Sequence, residues 1–457
     1  MPPLYIHYLL IPHPSEPQLL LLFADGGYTL PRYETSEAHY WQTVAPVNQL
    51  ANQHLGLKLT TLRCLKTAFD DGKISMFYAM DGSHIPADWT LPEGAIWVTH
   101  DTLDDLPAEQ KTVVDEWFQW QSDTNLIKTE WYRPGWFDKA AAWMEEQFDD
   151  RGILMTAPIE QVRSWERSAI LRAQTGFGQY YFKALPSMFR HEPSLVKWLA
   201  FTYPDDFPKP LLVDGWRRWL LMPDYGSQTL DAVLDIDIWE AALRHFAELQ
   251  NSLSVRISDL IGLGCPDRRL YRLAEAVEPL LMSSAESLSG SSIKFTDDEM
   301  VLLRARIPEF RQACADLAAY SIPPSLEHGD FWAGQVVING DKSVFIDWSD
   351  CSVSHPFFSL YFLTDADIQL PDVPNARERL RDAYLQLWSA YEPLPKLVEA
   401  YDLAMKLAPL HHILIYQRHI LPQMQNQWEM NNMVPFYLRR LIPRPPVLPQ
   451  TDTLDSE

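Results

Sequence analysis

The sequence predicts an α+β chain in three successive parts: a small α/β domain, an antiparallel β unit and a mainly helical unit. Three observations carry this. Residues 155–222 alternate apolar and polar side chains between turn signals, the period-two pattern of half-buried strands. From Asp231 onward the period becomes helical, with apolar residues at 242, 243, 246, 247, 249 and 253 on one face. One hairpin signal then interrupts the helices: two β-branched runs flank Asn339-Gly340-Asp341. A chain of 457 residues is too long for one typical core. The expected parts are a domain at 1–122, a linker and amphipathic helix at 123–154, the β unit at 155–222, the helical unit at 223–442 and a tail at 443–457.

In the first part, Tyr5–Ile11 and Leu19–Phe23 read as strands, with a turn at Asp25-Gly26-Gly27. Leu30-Pro31 precedes a helix from about Glu37 to Gln53, stopped at Gly56. Leu62–Phe69 and Lys73–Ala79 form a strand pair around Asp70-Asp71-Gly72. Ala95–Val98 is a further strand and Val113–Trp120 a closing helix. After the break at Arg133-Pro134-Gly135, Trp136, Ala140, Trp143, Met144 and Phe148 fall on one helical face, a packing surface.

In the β unit, Gln161–Trp165 and Ala169–Ala173 alternate around a turn that holds Arg163, Ser164, Arg167 and Ser168. Gln179–Ala184 follows the turn Thr175–Gly178, with Lys183 set among aromatic and aliphatic neighbours. Glu192 opens a helix to Ala200, and Trp216–Met222 is the last strand. Pro223-Asp224-Tyr225-Gly226 breaks the chain. Helices then cover 239–253, 268–282, 297–320, a segment from His355, 375–392 and 395–420. His411, His412 and His419 in the last of these are structural or exposed. Residues 443–457 are Pro-rich and then acidic.

The chemistry concentrates at the hairpin. His328-Gly329-Asp330 precedes its first strand, Val336–Ile338, and Asp347 follows its second, Val344–Ile346. Antiparallel pairing brings those two ends together, with the Gln335 amide beside them. Two carboxylates and an amide oxygen suit a hard cation shared with phosphates. Phosphoryl transfer uses such a set, one carboxylate to take a hydroxyl proton and the others to hold Mg²⁺.

These residues resemble the aminoglycoside phosphotransferase family, relatives of choline and protein kinases. That family's catalytic loop reads His-Gly-Asp, four residues, Asn, then a hairpin and an Asp. His328, Gly329, Asp330, Asp347 and Trp348 match; Gln335 stands in place of Asn. The resemblance covers roughly 155–440 and implies a bilobal protein-kinase-like fold, with an antiparallel β small lobe and a mainly helical large lobe. It implies ATP and Mg²⁺ as cofactors and a hydroxyl of a small molecule as acceptor. Asp330 is then the catalytic base and Asp347 and Gln335 the metal ligands. Lys183 contacts the α- and β-phosphates, held by Glu192. No GxGxxG lies between the first two strands, so Ser164, Ser168 and backbone amides are expected over the phosphates. Met222 falls at the hinge that meets the adenine. Where the family usually has an Asp, Ser359 stands, so that anchor is expected to be missing. The Gln335 departure and the absent glycine loop motivate an alternative, a pseudokinase that binds nucleotide or ligand without phosphotransfer.

The order strand, Leu30-Pro31, helix, Gly56-Leu57, strands resembles the Nudix fold. Leu50, Gln53 and His54 occupy the positions of its metal-binding glutamates, so 1–122 is expected to be an inactive accessory domain. A formal net charge of −23 argues against nucleic acid as a partner and favours a cationic small substrate. Four scattered Cys suggest neither zinc nor a disulfide framework. The start lacks a basic, apolar leader, and no stretch of about 18 apolar residues occurs. A cytoplasmic protein without a membrane segment is expected.

Overall fold

The computed structural model describes residues 3–442 except 25, 71, 104–105, 124–128, 205, 227, 284–290 and 341. The expected turn residues Asp25, Asp71 and Asp341, part of the linker and the 443–457 tail lie outside the described residues. The chain divides into two units, 1–225 and 226–457.

The first unit begins with strand β1 (Leu4–Leu10), buried along most of its length. It pairs in parallel with β6 (Lys73–Asp81) and antiparallel with β4 (Arg32–Thr35); β5 (Thr60–Asp70) adds to β6, giving the order β4-β1-β6-β5. A second sheet holds β3 (Gly27–Thr29), β2 (Gln18–Ala24) and β7 (Ala95–Thr99). Helix α1 is Ala45–Leu55 and α2 Ala108–Ser122. Gly56 closes α1 at φ +66°, a conformation that glycine adopts without a Cβ penalty. Two expectations are corrected here. Strand β4 intervenes between Leu30-Pro31 and the helix, and the helix starts at Ala45, not near Glu37. Residues before it are drawn into sheet contacts: Thr43 bridges to Arg163, and Ser164 N donates to Gln42 O.

Helix α3 (Trp136–Asp149) lays its apolar face on a five-stranded antiparallel sheet. That sheet runs β11 (Leu212–Asp214), β12 (Trp219–Pro223), β10 (Gly178–Ala184), β9 (Ser168–Thr175), β8 (Glu160–Trp165). Trp143 meets Phe182 and Trp219 at 5.8 and 5.3 Å between ring centres. One apolar core runs from Leu10 and Phe77 through Trp117 and Met144 to Phe182 and Leu221. Gln161 stitches the sheets further: Asn48 and Thr61 N donate to its Oε1, and its Nε2 donates to Thr61 O. The last strand begins at Trp219, three residues later than expected. Asp214 Oδ1 accepts from the amides of Trp216 and Arg217, bending the chain into a turn that leaves Trp216 89% exposed.

The second unit is mainly helical. It starts with α5 (Ile236–Leu253), capped by the Asp235 carboxylate, then α6 (Ile257–Gly262) and α7 (Leu270–Met282). The helix expected over 297–320 is two, Asp297–Ala305 and Ile307–Ala318, with Pro308 in the first turn of the second. Strand β13 (Ser325–Glu327) pairs with β16 (Ser352–Ser354) and encloses the hairpin β14 (Val336–Asn339) and β15 (Lys342–Phe345). From Pro356 to Asp365 the chain is 3₁₀, followed by Ala376–Leu385 and the long helix Leu394–Leu414. That helix continues as a π turn, Ile415–Ile420. Met433–Leu441 is the last described helix. Among the described residues, no helix is long and apolar enough to cross a membrane.

Candidate functional site

The hairpin register pairs Val336 with Phe345, and Ile346 N donates to Gln335 O at 3.0 Å. Gln335 and Asp347 therefore share one end of the hairpin. Asp347 adopts φ +62°, a strained conformation for a residue with a side chain. Ser349 Oγ donates to Asp347 Oδ1 at 2.6 Å. Asp330, Gln335 and Asp347 are all half-buried, whereas their neighbours Phe331, Val336 and Trp348 are buried.

The loop before Asp330 is fixed from several sides. His328 is fully buried, and its Nε2–H donates to Ile346 O at 3.0 Å, tying the loop to the strand that leads to Asp347. Burial holds His328 below the ordinary histidine range against the pull of the Glu327 and Asp347 charges, so the ring is neutral. Trp348 lies over that ring, 4.6 Å between centres, with its indole N–H on Phe345 O. Gly329 sits at φ +80°, and a Cβ there would lie 2.2 Å from Asp350 O. The carbonyl cannot retreat freely, because the buried Arg268 donates to it at 2.8 Å.

Glu327 was not singled out by the sequence. It is buried at the end of β13 and accepts from Gly329 N at 2.8 Å and from His411 Nε2 at 2.9 Å. Burial pushes its carboxyl up, but the His411 charge and hydrogen bond, with the Gly329 amide, reverse this and hold it at about 2. Ser359 Oγ accepts from His328 N at 3.1 Å and donates to Glu327 at 3.2 Å. The expectation of a missing anchor at 359 is thereby corrected: a hydroxyl does the holding, backed by a carboxylate from β13. His411 is buried and paired; of the two alternatives open for it, it is the structural one. His411 lies 84 residues from Glu327, a pairing that no local pattern signals.

The first unit carries the other candidate residues. Lys183 sits in β10 between Ile170 of β9 and Leu220 of β12. Its Nζ donates to both carboxylate oxygens of Glu192, at 2.8 and 3.0 Å. Both residues are buried, 8% and 2% exposed. Glu192 lies in the first turn of α4 (Glu192–Thr202), where the helix dipole favours a negative charge. The turn between β8 and β9 is only Glu166-Arg167, so of Arg163, Ser164, Arg167 and Ser168, all expected in that turn, only Arg167 lies there and the other three belong to the strands. Ser164 belongs to β8, is fully buried, and donates to Leu62 O at 2.6 Å. Its proton serves the join between two sheets and not a phosphate. Ser168 opens β9 and accepts the Trp165 indole N–H at 2.8 Å. Met222 pairs with Tyr181 next to the end of β12.

Among the described residues, no group of three or more His, Cys, Asp or Glu is arranged to hold a metal ion by itself. The donors at the hairpin end are one carboxylate and one amide oxygen, a set that needs phosphate oxygens or water to complete an octahedral shell.

The family model for the phosphotransferase enzyme family matches residues 158–394. Among solved structures, a type I macrolide 2'-phosphotransferase is similar at 14% identity with a TM-score of 0.45, over 66% of this chain and 97% of that one. The macrolide 2'-phosphotransferase of Brachybacterium faecium gives 14% and 0.44, over 67% and 99%. The choline kinase of Streptococcus pneumoniae gives 14% and 0.42, over 66% and 96%. No curated protein matches the sequence.

Proposed function

The chain belongs to the phosphotransferase enzyme family, and from that premise we propose that it transfers the γ-phosphoryl group of ATP, with Mg²⁺, to a hydroxyl of a small molecule. The observation that carries this is the hairpin end, shared by Gln335 and Asp347, with the loop that precedes Asp330 tied to the same strand through His328. Mg²⁺, when bound, neutralises charge on the phosphates. Asp347 and Gln335 would hold it, and this donor set fits an ion shared with phosphates. Asp330 would orient the acceptor hydroxyl and take its proton. The Lys183 ammonium, held by Glu192, would meet the α- and β-phosphates. The Ser168 hydroxyl and the hinge backbone near Met222 complete the proposed nucleotide contacts. The acidic balance of −23 favours a cationic acceptor.

For residues 1–122 we infer an accessory role in a Nudix-like domain. The support is chemical: α1, Ala-Pro-Val-Asn-Gln-Leu-Ala-Asn-Gln-His-Leu, carries no carboxylate, and Leu50, Gln53 and His54 lie on it. The full chain is therefore expected not to hydrolyse nucleoside diphosphate derivatives.

A second reading, a pseudokinase, is favoured by two observations: Gln335 stands where the family has Asn, and Ser164 is turned to Leu62 O. ATP turnover with and without a panel of hydroxyl acceptors, beside nucleotide-induced thermal stabilisation, separates the two. Acceptor-dependent turnover supports the kinase. Stabilisation by nucleotide without turnover on any acceptor supports the pseudokinase.

A further inference from the structure

We infer that Glu327 is a positioning residue: with Ser359 it holds the two backbone amides that precede Asp330, and so fixes the direction in which Asp330 points. The inference builds on the assignment of Asp330 above.

A carboxylate taken out of water persists only where its lone pairs are satisfied. Glu327 meets that condition with four donors. Gly329 N at 2.8 Å and Ser359 Oγ at 3.2 Å reach Oε1. His411 Nε2 at 2.9 Å and Ser352 Oγ at 3.4 Å reach Oε2. Ser359 Oγ in turn accepts from His328 N at 3.1 Å. Two consecutive amides, 328 and 329, thus end on one carboxylate, the second directly and the first through a hydroxyl. The loop's two other ties, the close approach of Gly329 to Asp350 O and the His328 ring on Ile346 O, leave the amides of 328 and 329 to Ser359 and Glu327. Arg268, Asp347, Asp350, Tyr384 and His412 are further charged or titratable groups that act around the cluster.

The geometry also offers a rescue. Ser359 Oγ already lies within reach of His328 N, so an aspartate at 359 has the same amide as its partner. The space for its longer side chain is that taken by Glu327. Removing the Glu327 side chain while converting Ser359 to aspartate moves the carboxylate from the strand to the 3₁₀ segment and keeps it near His411.

The test uses the full chain with Glu327→Ala, Glu327→Gln and Glu327→Ala/Ser359→Asp. Steady-state kinetics are read on an acceptor the wild type accepts, and hydrogen exchange is read at 328–329 and across the hairpin. Glu327→Ala is expected to lower kcat by about 10- to 100-fold, the range for losing hydrogen bonds to a charged group, with KM for ATP within about twofold. The amides of His328 and Gly329 exchange faster while β14 and β15 keep their protection. The double variant recovers about tenfold in kcat and restores protection at His328. Glu327→Gln, which keeps an acceptor for Gly329 N and the shape of the side chain, keeps its fold and retains more activity than Glu327→Ala. Wild-type kcat in Glu327→Ala, unchanged exchange at 328–329, or a loss of protection throughout the hairpin that the double variant leaves unrepaired would overturn the inference. Should Glu327→Ala not fold, wild-type kcat and exchange in Glu327→Gln overturn a role for the charge, and a local rise in exchange supports it. If the wild type transfers no phosphate, the assignment of Asp330 falls by itself, and the exchange at 328–329 still decides for or against Glu327.

Discussion

Replacing Lys183 by Met and Glu192 by Leu, singly and together, separates what their ion pair does for the fold from what it does for the reaction. The pair is bidentate at 2.8 and 3.0 Å, with both residues buried. At an effective dielectric of about 20 the gross attraction at that separation is about 6 kcal/mol. Several kcal/mol of desolvation per ion offset most of it, so the net worth of the intact pair is small. Removing one partner is different, because the desolvation stays and the attraction goes. Each single variant should lose about 3–5 kcal/mol of stability. The double variant, with two apolar side chains of similar volume, should lie close to the wild type. The measured coupling should then be several kcal/mol, well beyond the additivity error of about 0.5 kcal/mol. Productive use of ATP should fall in all three, since Lys183→Met removes the ammonium that meets the phosphates and Glu192→Leu removes the carboxylate that holds it. Urea unfolding of the full chain and ATP turnover provide the two readouts. Single variants within about 0.5 kcal/mol of the wild type, or fully additive losses, would show that Lys183 and Glu192 are not coupled as a buried pair.

Three further outcomes are expected. Gly329→Ala combines a left-handed φ, about 1–2 kcal/mol, with a backbone clash at 2.2 Å, about 1–3 kcal/mol, for a total of about 2–5 kcal/mol; a wild-type urea midpoint would contradict it. Burial holds His328 below its ordinary value and both His355 and His412 at about 3, so the folded chain resists protonating them. Stability is then full above about pH 6.5 and falls as pH drops toward 3, with Glu327 adding its loss between about 4.5 and 2; His412→Phe, which keeps the stack on Tyr437, should lessen the slope by up to about 1.4 kcal/mol per pH unit, and a melting temperature flat from pH 6.5 to 5 would count against this. Gln335→Asn should keep or improve activity at low Mg²⁺ and Gln335→Leu lose most of it; a Mg²⁺ titration at saturating ATP in which Gln335→Leu matches the wild type would remove Gln335 from the ligand set.

The parts of the site that were legible in the sequence are those built by local geometry. Asn339-Gly340 between β-branched runs specifies a hairpin, and a hairpin necessarily joins Gln335 to Asp347 at one end. Lys183 and Glu192 lie nine residues apart on a strand and the helix that follows, near enough for chain order to suggest their meeting. What escaped was set by distant partners. Glu327 reads as one charge at a strand end, and only the fold brings His411 to it. Ser164 reads as a turn hydroxyl until β5 supplies the Leu62 carbonyl. The helix expected from Glu37 gives way because Thr43 and Val44 find partners in β8, at Arg163 and Val162. Trp216 reads as a strand residue by hydrophobicity, but Asp214 turns the chain there.

Service of Asp330 in phosphoryl transfer from ATP to a hydroxyl is measured by ³¹P NMR of the products formed by wild type and Asp330→Asn on one accepted alcohol. The wild type should yield ADP and a new phosphomonoester in equal amounts. Asp330→Asn should form both more slowly by about 10²–10⁴-fold while binding ATP as tightly. Equal rates of phosphomonoester formation by the two proteins would remove Asp330 from the chemical step.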